Sequence, residues 1–478
     1  MHTRSFRTGR PCRARPAWAA VVLALALAAT GTAQTGTSTP APAAAAPPPM
    51  SQFVRVVESK DGRRLALELV RRTFVHPDPA KPRLTLAGAV HIADRSFYET
   101  LQARLDPLDL VLFEGVKPPG AQDRIPADLD DAGRAKLTTH RVRLLATLAE
   151  AYRAEHGRYP PAVEALSTLT DKKLAWLATV VRTDAWGRPI LYAPPARTPA
   201  AEPAEAGSQH GAPGPGEAQA PGTPPDIRSL GSDGAPGGEG PAADIAYRDM
   251  EPVAPDEVPG ADEGIQEQMA TALGLVFQLS AMDHGRPNWR NSDMTLDQVQ
   301  ERLEAAGAES GALFKMLDGS SFQAKLAGFL LKMLGSSPQG SAMMKLMLLE
   351  MLAHADELLT MAPGELGVLM QVILHERNEV VMGDLSRVIA EEPGVRTVGI
   401  IYGAGHLPGI QHALVSELGY RPAEEEWIPA IRIDLDKAGI SAGQARQLRG
   451  MIGGMLEQQI KAFQRQQERG TKRGWWSR

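Results

Sequence analysis

The pattern that most limits how this chain can fold occurs twice, once near each end. "RLTLAGAVHIADRSFYETLQARLDPLDLVLFEG" reads as a strand (83–87), a glycine turn (88–91), a helix (94–105) and a second strand (109–113). "VRTVGIIYGAGHLPGIQHALVSELGYRPAEEEWIPAIRI" reads as a strand (396–402), a glycine turn (403–406), a helix (408–418) and a further strand near 427–433. Short apolar runs that stop at glycine suit buried strands, and the helical spacing that follows suits helices packed on them. A strand–helix–strand unit implies a parallel pair and a right-handed crossover. Both first strands end in Gly-x-x-His: Gly88-Ala89-Val90-His91 and Gly403-Ala404-Gly405-His406. Two units from opposite ends of a chain can share one sheet, so the expectation is an α/β body around a mainly parallel sheet.

The long middle breaks this pattern. Residues 51–71 first form a β-hairpin turned at Asp61-Gly62. Residues 138–156, "TTHRVRLLATLAEAYRAEH", read as an amphipathic helix, followed by "GRYPPAVEALSTL" and "TDAWGRPILYAPP". A Pro/Ala/Gly/Glu-rich loop (195–225) is expected to be disordered. From 264 to 390 the chain is helical and Met-rich. The division is therefore 51–131 and 264–440 for the body, an α+β insert at 132–250, a linker at 251–263, and a C-terminal helix with a basic tail at 441–478. The 478 residues suffice for two or three domains with real cores.

The N-terminus reads as an export signal (1–33): a basic "RTGRPCRARP", an apolar "AWAAVVLALALAA" and small residues for cleavage near Ala33. An uncleaved anchor is the alternative. A Pro/Ala spacer (34–50) follows. The one cysteine, Cys12, precedes the apolar run, which argues against lipidation and leaves the mature chain without disulfides or thiolate sites. The expected location is the periplasm or cell envelope. A formal net charge of −5 argues against a nucleic-acid binder. The terminal "EQQIKAFQRQQERGTKRGWWSR" suits either a solvated tail or peripheral contact with an anionic membrane. Nothing in the sequence sets an oligomeric state.

Ligands of open α/β sheets gather at the carboxyl ends of parallel strands, where both Gly-x-x-His turns lie. Glu114 ends the strand after the first turn, on the same rim. A helix at 365–390 adds charge: Leu366, Leu369, Met370, Ile373, Val380 and Val381 make its apolar stripe, and "HERN" sets Glu376 and Arg377 on it. A buried charge must pair with a neighbour or a metal. Two histidines with carboxylates suit a divalent ion that activates water, or general acid–base chemistry without one. Ordinary alternatives stand beside this reading. A single Gly-x-x-His is a common turn, Glu376–Arg377 suits a structural ion pair, and His284 in "MDHGRPNWRNSDM" suits loop packing or a substrate lip. The "MMKLMLLEMLAHADELL" stripe suits helix core or a hydrophobic groove.

"GAVHIADRSFYETL…LVLFEG", "HERNEVVM" and "GAGHLPGI" together resemble the TraB/PrgY/TIKI superfamily, related to GumN-like proteins, over residues 75–117 and 264–433. The resemblance implies an α/β fold with two related halves and, as in some members, a metal-dependent peptidase. By it, His91 and His406 with Glu114 would bind a divalent metal (Mn, Co or Zn). Glu114 and Glu376 would be the acidic catalytic candidates, with Arg377 and Asn378 in support. The substrate would be a peptide or protein. The alternative is a non-catalytic envelope protein that binds a peptide or secretion-system partner.

The insert resembles a different family. "HRVRLLATLAEAYRAEHGRYPPAVEALSTL", "TDAWGRPILY" and "DIRSLGSDGAPGGEGPAADI" are similar to the C-terminal domain of the major pseudopilin of type II secretion, the general secretion pathway protein G family. That match covers 138–193 and 226–247. It implies a calcium loop, with Asp233, Glu239 and Asp244 as side-chain ligands, and Asp226 at the start of a strand. The glycines and hard oxygen donors agree with calcium chemistry. The long apolar filament helix of that family is missing, so the expected role is docking to a secretion-system component or stability.

Overall fold

The computed structural model describes residues 52–195, 224–254, 270–305, 337–353 and 372–475, except 123–124, 126–128 and 272. The signal-like segment, the spacer and most of the predicted 195–225 loop lie outside the described residues, as does part of the Met-rich region.

The body begins with a hairpin, β1 (Val54–Glu58) and β2 (Arg64–Val75), whose turn holds Gly62 at a φ of 67° as Asp61-Gly62 requires. There follow β3 (Arg83–Ala89), β4 (Ile92–Ala93), α1 (Arg95–Leu105) and β5 (Leu110–Phe113). The insert supplies α2 (Asp131–His156), α3 (Lys172–Val180), β6 (Leu191–Ala193), β7 (Asp226–Ser229) and β8 (Ile245–Ala246). The chain returns with β9 (Val276–Phe277), β10 (Trp289–Asn291), α4 (Leu296–Ala305), α5 (Pro338–Ala353) and α6 (Arg377–Glu391). It ends with β11 (Thr397–Gly403), α7 (Leu407–Ser416), β12 (Arg421–Asp434) and α8 (Ala442–Trp475).

One mixed sheet organises the body, in the order β1-β2-β3-β11-β5-β10, with β12 on the other edge of β2. The four strands β3, β11, β5 and β10 are mutually parallel, while β1, β2 and β12 pair antiparallel. Helices cover both faces of the parallel part, which explains the largely apolar runs of β3, β5 and β11. Gly399 of β11 admits Leu105 and Leu108 from the α1 side. On the other face, Arg290 of β10 pairs with Glu392, just past α6, and Gly88 of β3 makes room for Leu407 of α7.

The two Gly-x-x-His units interlock rather than stand side by side. β11 lies between β3 and β5, so the first unit is a split crossover with the second unit's strand inside it. The register pairs Gly88 with Tyr402 and Ala89 with Gly403. The expectation for the second unit needs correction: β12 does not return parallel to β11. It runs antiparallel along the whole of β2. Charge complementarity favours that seat, because Glu424 pairs with Arg83, Glu425 with Arg72, and Glu426 with both Arg71 and Arg104.

The insert gathers its own buried cluster, including Val142, Leu145, Leu148, Leu166, Val181 and Ile227, apart from the body's. Its antiparallel sheet has the order β6-β7-β8. The "TDAWGRP" turn is pinned by fully buried Asp184, which accepts from the Trp186 and Arg188 N–H groups and the Ser229 hydroxyl. The Met-rich helix α5 is core on one side and meets α8 through Met351, Ile452 and Leu456. Among the described residues no helix is long and apolar enough to cross a membrane.

Candidate active site

Each of the four parallel strands delivers one polar side chain just past its carboxyl end. In sheet order these are His91 after β3, His406 after β11, Glu114 after β5 and Asp293 after β10. That rim is where the sequence placed the first three. Arg377, the first residue of α6, reaches the same rim from the face that covers it.

Glu114 is the hub. Its Oε1 accepts from Arg377 Nη2 at 2.7 Å and lies 3.6 Å from His406 Nε2. Its Oε2 accepts from the Gly403 N–H, so the glycine of the second motif holds the carboxylate after the first. Arg377 also forks onto Asp293, with Nε to Oδ1 at 2.8 Å and Nη2 to Oδ2 at 2.7 Å. Burial is deep: the side chains of Arg377, Glu114 and Asp293 are 9%, 10% and 0% exposed.

His406 is fixed by Asn378. The imidazole Nδ1 lies 2.8 Å from Asn378 Oδ1, and Asn378 Nδ2 donates to the His406 carbonyl at 3.3 Å. An amide oxygen accepts, so Nδ1 carries the proton and Nε2 presents its lone pair toward Glu114. Gly409 makes this contact possible, since a Cβ there would sit 2.6 Å from Asn378 Nδ2. Gly409 therefore serves close approach rather than a left-handed backbone, because its φ is not positive. His91 is half-buried. Its carbonyl accepts from Gln278 N–H at 2.8 Å, and its imidazole makes no hydrogen bond to the described residues.

The electrostatics set the charge states. Burial pushes Glu114 up, but Arg377, the two imidazoles once acid protonates them, and the Gly403 N–H outweigh it and hold the carboxyl at about 2. Burial pushes His406 down to about 4, against the pull of Glu114. Burial also lowers His91, with Arg377 adding to the effect and Glu114 opposing it. Near neutral pH the centre therefore holds an ionised carboxylate and two neutral imidazoles.

Other expected residues lie elsewhere. Glu376 does not pair with Arg377; it turns toward Arg302 at 3.5 Å, in an open groove with Met294, Gln298, Glu301, Glu379 and Val380. Of the expected helix at 365–390, residues 365–371 lie outside the described residues, and the rest is not one continuous α-helix. Val372–Glu376 forms a π-helical turn, and such a turn shifts the phase of the residues after it. His284 packs against Phe113 and Trp289 with ring centroids 4.8 and 5.5 Å away, the loop-packing alternative. In the insert, Asp233 accepts from Ala235 N–H and Asp244 from Gly237 N–H, while Glu239 is exposed. These carboxylates support a glycine-rich loop and do not converge. Among the described residues no three His, Cys, Asp or Glu side chains close around one point, in the loop or at the strand ends.

One pair of strand-end donors, His406 Nε2 and Glu114 Oε1, is spaced as two ligands of one ion would be, with no third donor closing on them among the described residues. Two ligands bound at 2.0–2.2 Å to one tetrahedral ion lie about 3.3–3.6 Å apart, too long for a hydrogen bond and close to the His406–Glu114 separation. Asn378 behind His406 is the outer partner that metal-bound imidazoles usually carry. Asp293 is the site residue that sequence reasoning missed. The signal for it was the buried Arg377, which demanded a carboxylate. Compared with known proteins, the chain matches no family model, no curated protein and no solved structure.

Proposed function

We propose that the chain is an exported hydrolase of the TraB/TIKI kind, acting on peptide bonds at the strand-end cluster. The observation that carries this reading is the neutral His406 Nε2, held 3.6 Å from the ionised Glu114. The peptide as substrate comes from the resemblance alone.

A divalent ion held by His406, Glu114 and His91 would supply a Lewis acid that lowers the pKa of bound water. The chain's own residues provide the rest. Asn378 keeps the His406 lone pair aimed at the site. Arg377 keeps Glu114 ionised and oriented. His91, less buried than His406, has an imidazole without a hydrogen-bond partner among the described residues. A metal-free variant of the reading rests on a specific feature: Arg377 occupies the same Glu114 oxygen a cation would use. There His91, kept neutral by its burial, would be the general base that takes a proton from water.

Digestion of an unbiased peptide library by the purified mature protein tests this. Wild type is expected to cleave, and the double substitution His91→Ala/His406→Ala to lower the rate at least about 100-fold, the usual worth of a general base. Loss of cleavage on chelation selects the metal-dependent form, and chelator resistance the His91 form. Cleavage that survives the double substitution, or no cleavage by wild type, sinks the proposal.

A further inference from the structure

Asp293 has no role in the chemistry above, yet it is the most enclosed charge of the cluster. Its carboxylate is saturated. Oδ1 accepts from Arg377 Nε and from the Met294 N–H, each at 2.8 Å. Oδ2 accepts from Arg377 Nη2 at 2.7 Å and from the Gly115 N–H at 2.8 Å. A carboxylate offers about four lone-pair sites, and four donors fill them, so Asp293 has no site left to ligate an ion.

What the four bonds accomplish is geometric. The fork fixes the plane of the Arg377 guanidinium. With one Nη2 hydrogen on Asp293, the other falls on Glu114 Oε1 at 2.7 Å. The Gly115 bond fixes the backbone of the residue after Glu114. Asp293 is itself held from outside the site. Tyr402 donates to the carbonyl of neighbouring Ser292, the Ser292 hydroxyl donates to Asp384 at 2.6 Å, and Asn291 Nδ2 donates to the Gly115 carbonyl at 2.8 Å.

We propose that Asp293 is a positioning residue that holds Glu114 from two sides, its carboxylate through Arg377 and its backbone through Gly115, and so sets the Glu114–His406 spacing. This rests on the hydrolase reading for its catalytic consequence, but its structural half stands alone. Asp293→Asn keeps the shape, but its amide puts an N–H against an Arg377 donor on either side, together with the Met294 N–H or the Gly115 N–H.

The test pairs kinetics with nitrogen-15 arginine spectra of the full mature chain. Arg377 is the Nε–H signal that Arg377→Lys removes. In wild type its Nη groups are expected to be resolved, because rotation about Nε–Cζ is locked; in Asp293→Asn they are expected to average. On the cleaved peptide, kcat is expected to fall about 100-fold, the loss an ångström of misplacement can cause, with KM changed less than about threefold. Asp293→Glu, which keeps the charge but moves the carboxylate, is expected to behave likewise and replaces Asp293→Asn if that variant does not fold. A locked Arg377 signal in these variants, or an unchanged kcat, overturns the proposal. If wild type cleaves nothing, the hydrolase reading fails and the arginine spectra alone decide whether Asp293 holds Arg377.

Discussion

Replacing Arg377 by methionine should expose how much of the body's stability is tied up in the site. The change removes the cation that bridges two buried carboxylates, Glu114 and Asp293. Removing one partner of a buried ion pair costs about 3–5 kcal/mol, because the remaining charge stays desolvated. The titration of Glu114 gives a similar figure. Burial raises its carboxyl, but its neighbours, Arg377 foremost, bring it from 4.5 to about 2, a shift worth about 3 kcal/mol. The sign follows from linkage. A carboxyl depressed in the folded state stabilises fully above its unfolded value of 4.5, and that contribution is lost as pH falls toward 2. In Arg377→Met the burial effect on Glu114 is unopposed by the guanidinium, so its carboxyl rises and the folded variant retains a proton that the unfolded chain releases. The variant therefore weakens as pH rises above the unfolded value of 4.5, and its deficit is larger at neutral pH than in acid. Urea unfolding followed by tryptophan fluorescence at several pH values measures this. A deficit below about 1 kcal/mol near pH 7.5, or one that does not change with pH, refutes the assignment of Arg377 as the counter-ion of two buried carboxylates.

Further outcomes follow from the same geometry. Because burial lowers His406 from 6.5 to about 4, the unfolded chain binds its proton first; wild type should lose stability as pH falls through that window, and His406→Asn should flatten the loss in urea titrations. Gly409→Ala should push Asn378 off His406 and lower kcat about 10-fold, as loss of an outer-shell partner does, with urea stability changed by less than about 1 kcal/mol. In the insert, calcium must take Asp233 and Asp244 from the Ala235 and Gly237 N–H groups. Millimolar calcium is expected to raise the insert's thermal midpoint in wild type and not in Asp233→Ala/Asp244→Ala; no shift in wild type removes calcium from the account.

Much of the rim was legible because its signals are local. An apolar run ending at glycine marks a strand end, and repeating Gly-x-x-His placed His91 and His406 at equivalent ends. Their adjacency then followed from β3 and β11 being neighbours. Arg377 was legible as a charge on an apolar stripe. Its partner was not, because β10 is three residues long and shows no period. Glu376 was misplaced because a helical wheel assumes constant pitch, and the π turn just before Arg377 breaks it. The seat of β12 was hidden for another reason. A strand's own residues fix which face is buried but not which edge it joins; the choice of β2 depends on arginines from distant parts of the chain meeting Glu424, Glu425 and Glu426.

Elemental analysis of the purified mature protein tests the central claim most directly. Wild type is predicted to carry close to one equivalent of manganese, cobalt or zinc, absent from His91→Ala/His406→Ala and retained in Asp233→Ala/Asp244→Ala. Equal metal in wild type and the histidine double variant, or calcium alone in both, would contradict a divalent-metal centre at the strand ends.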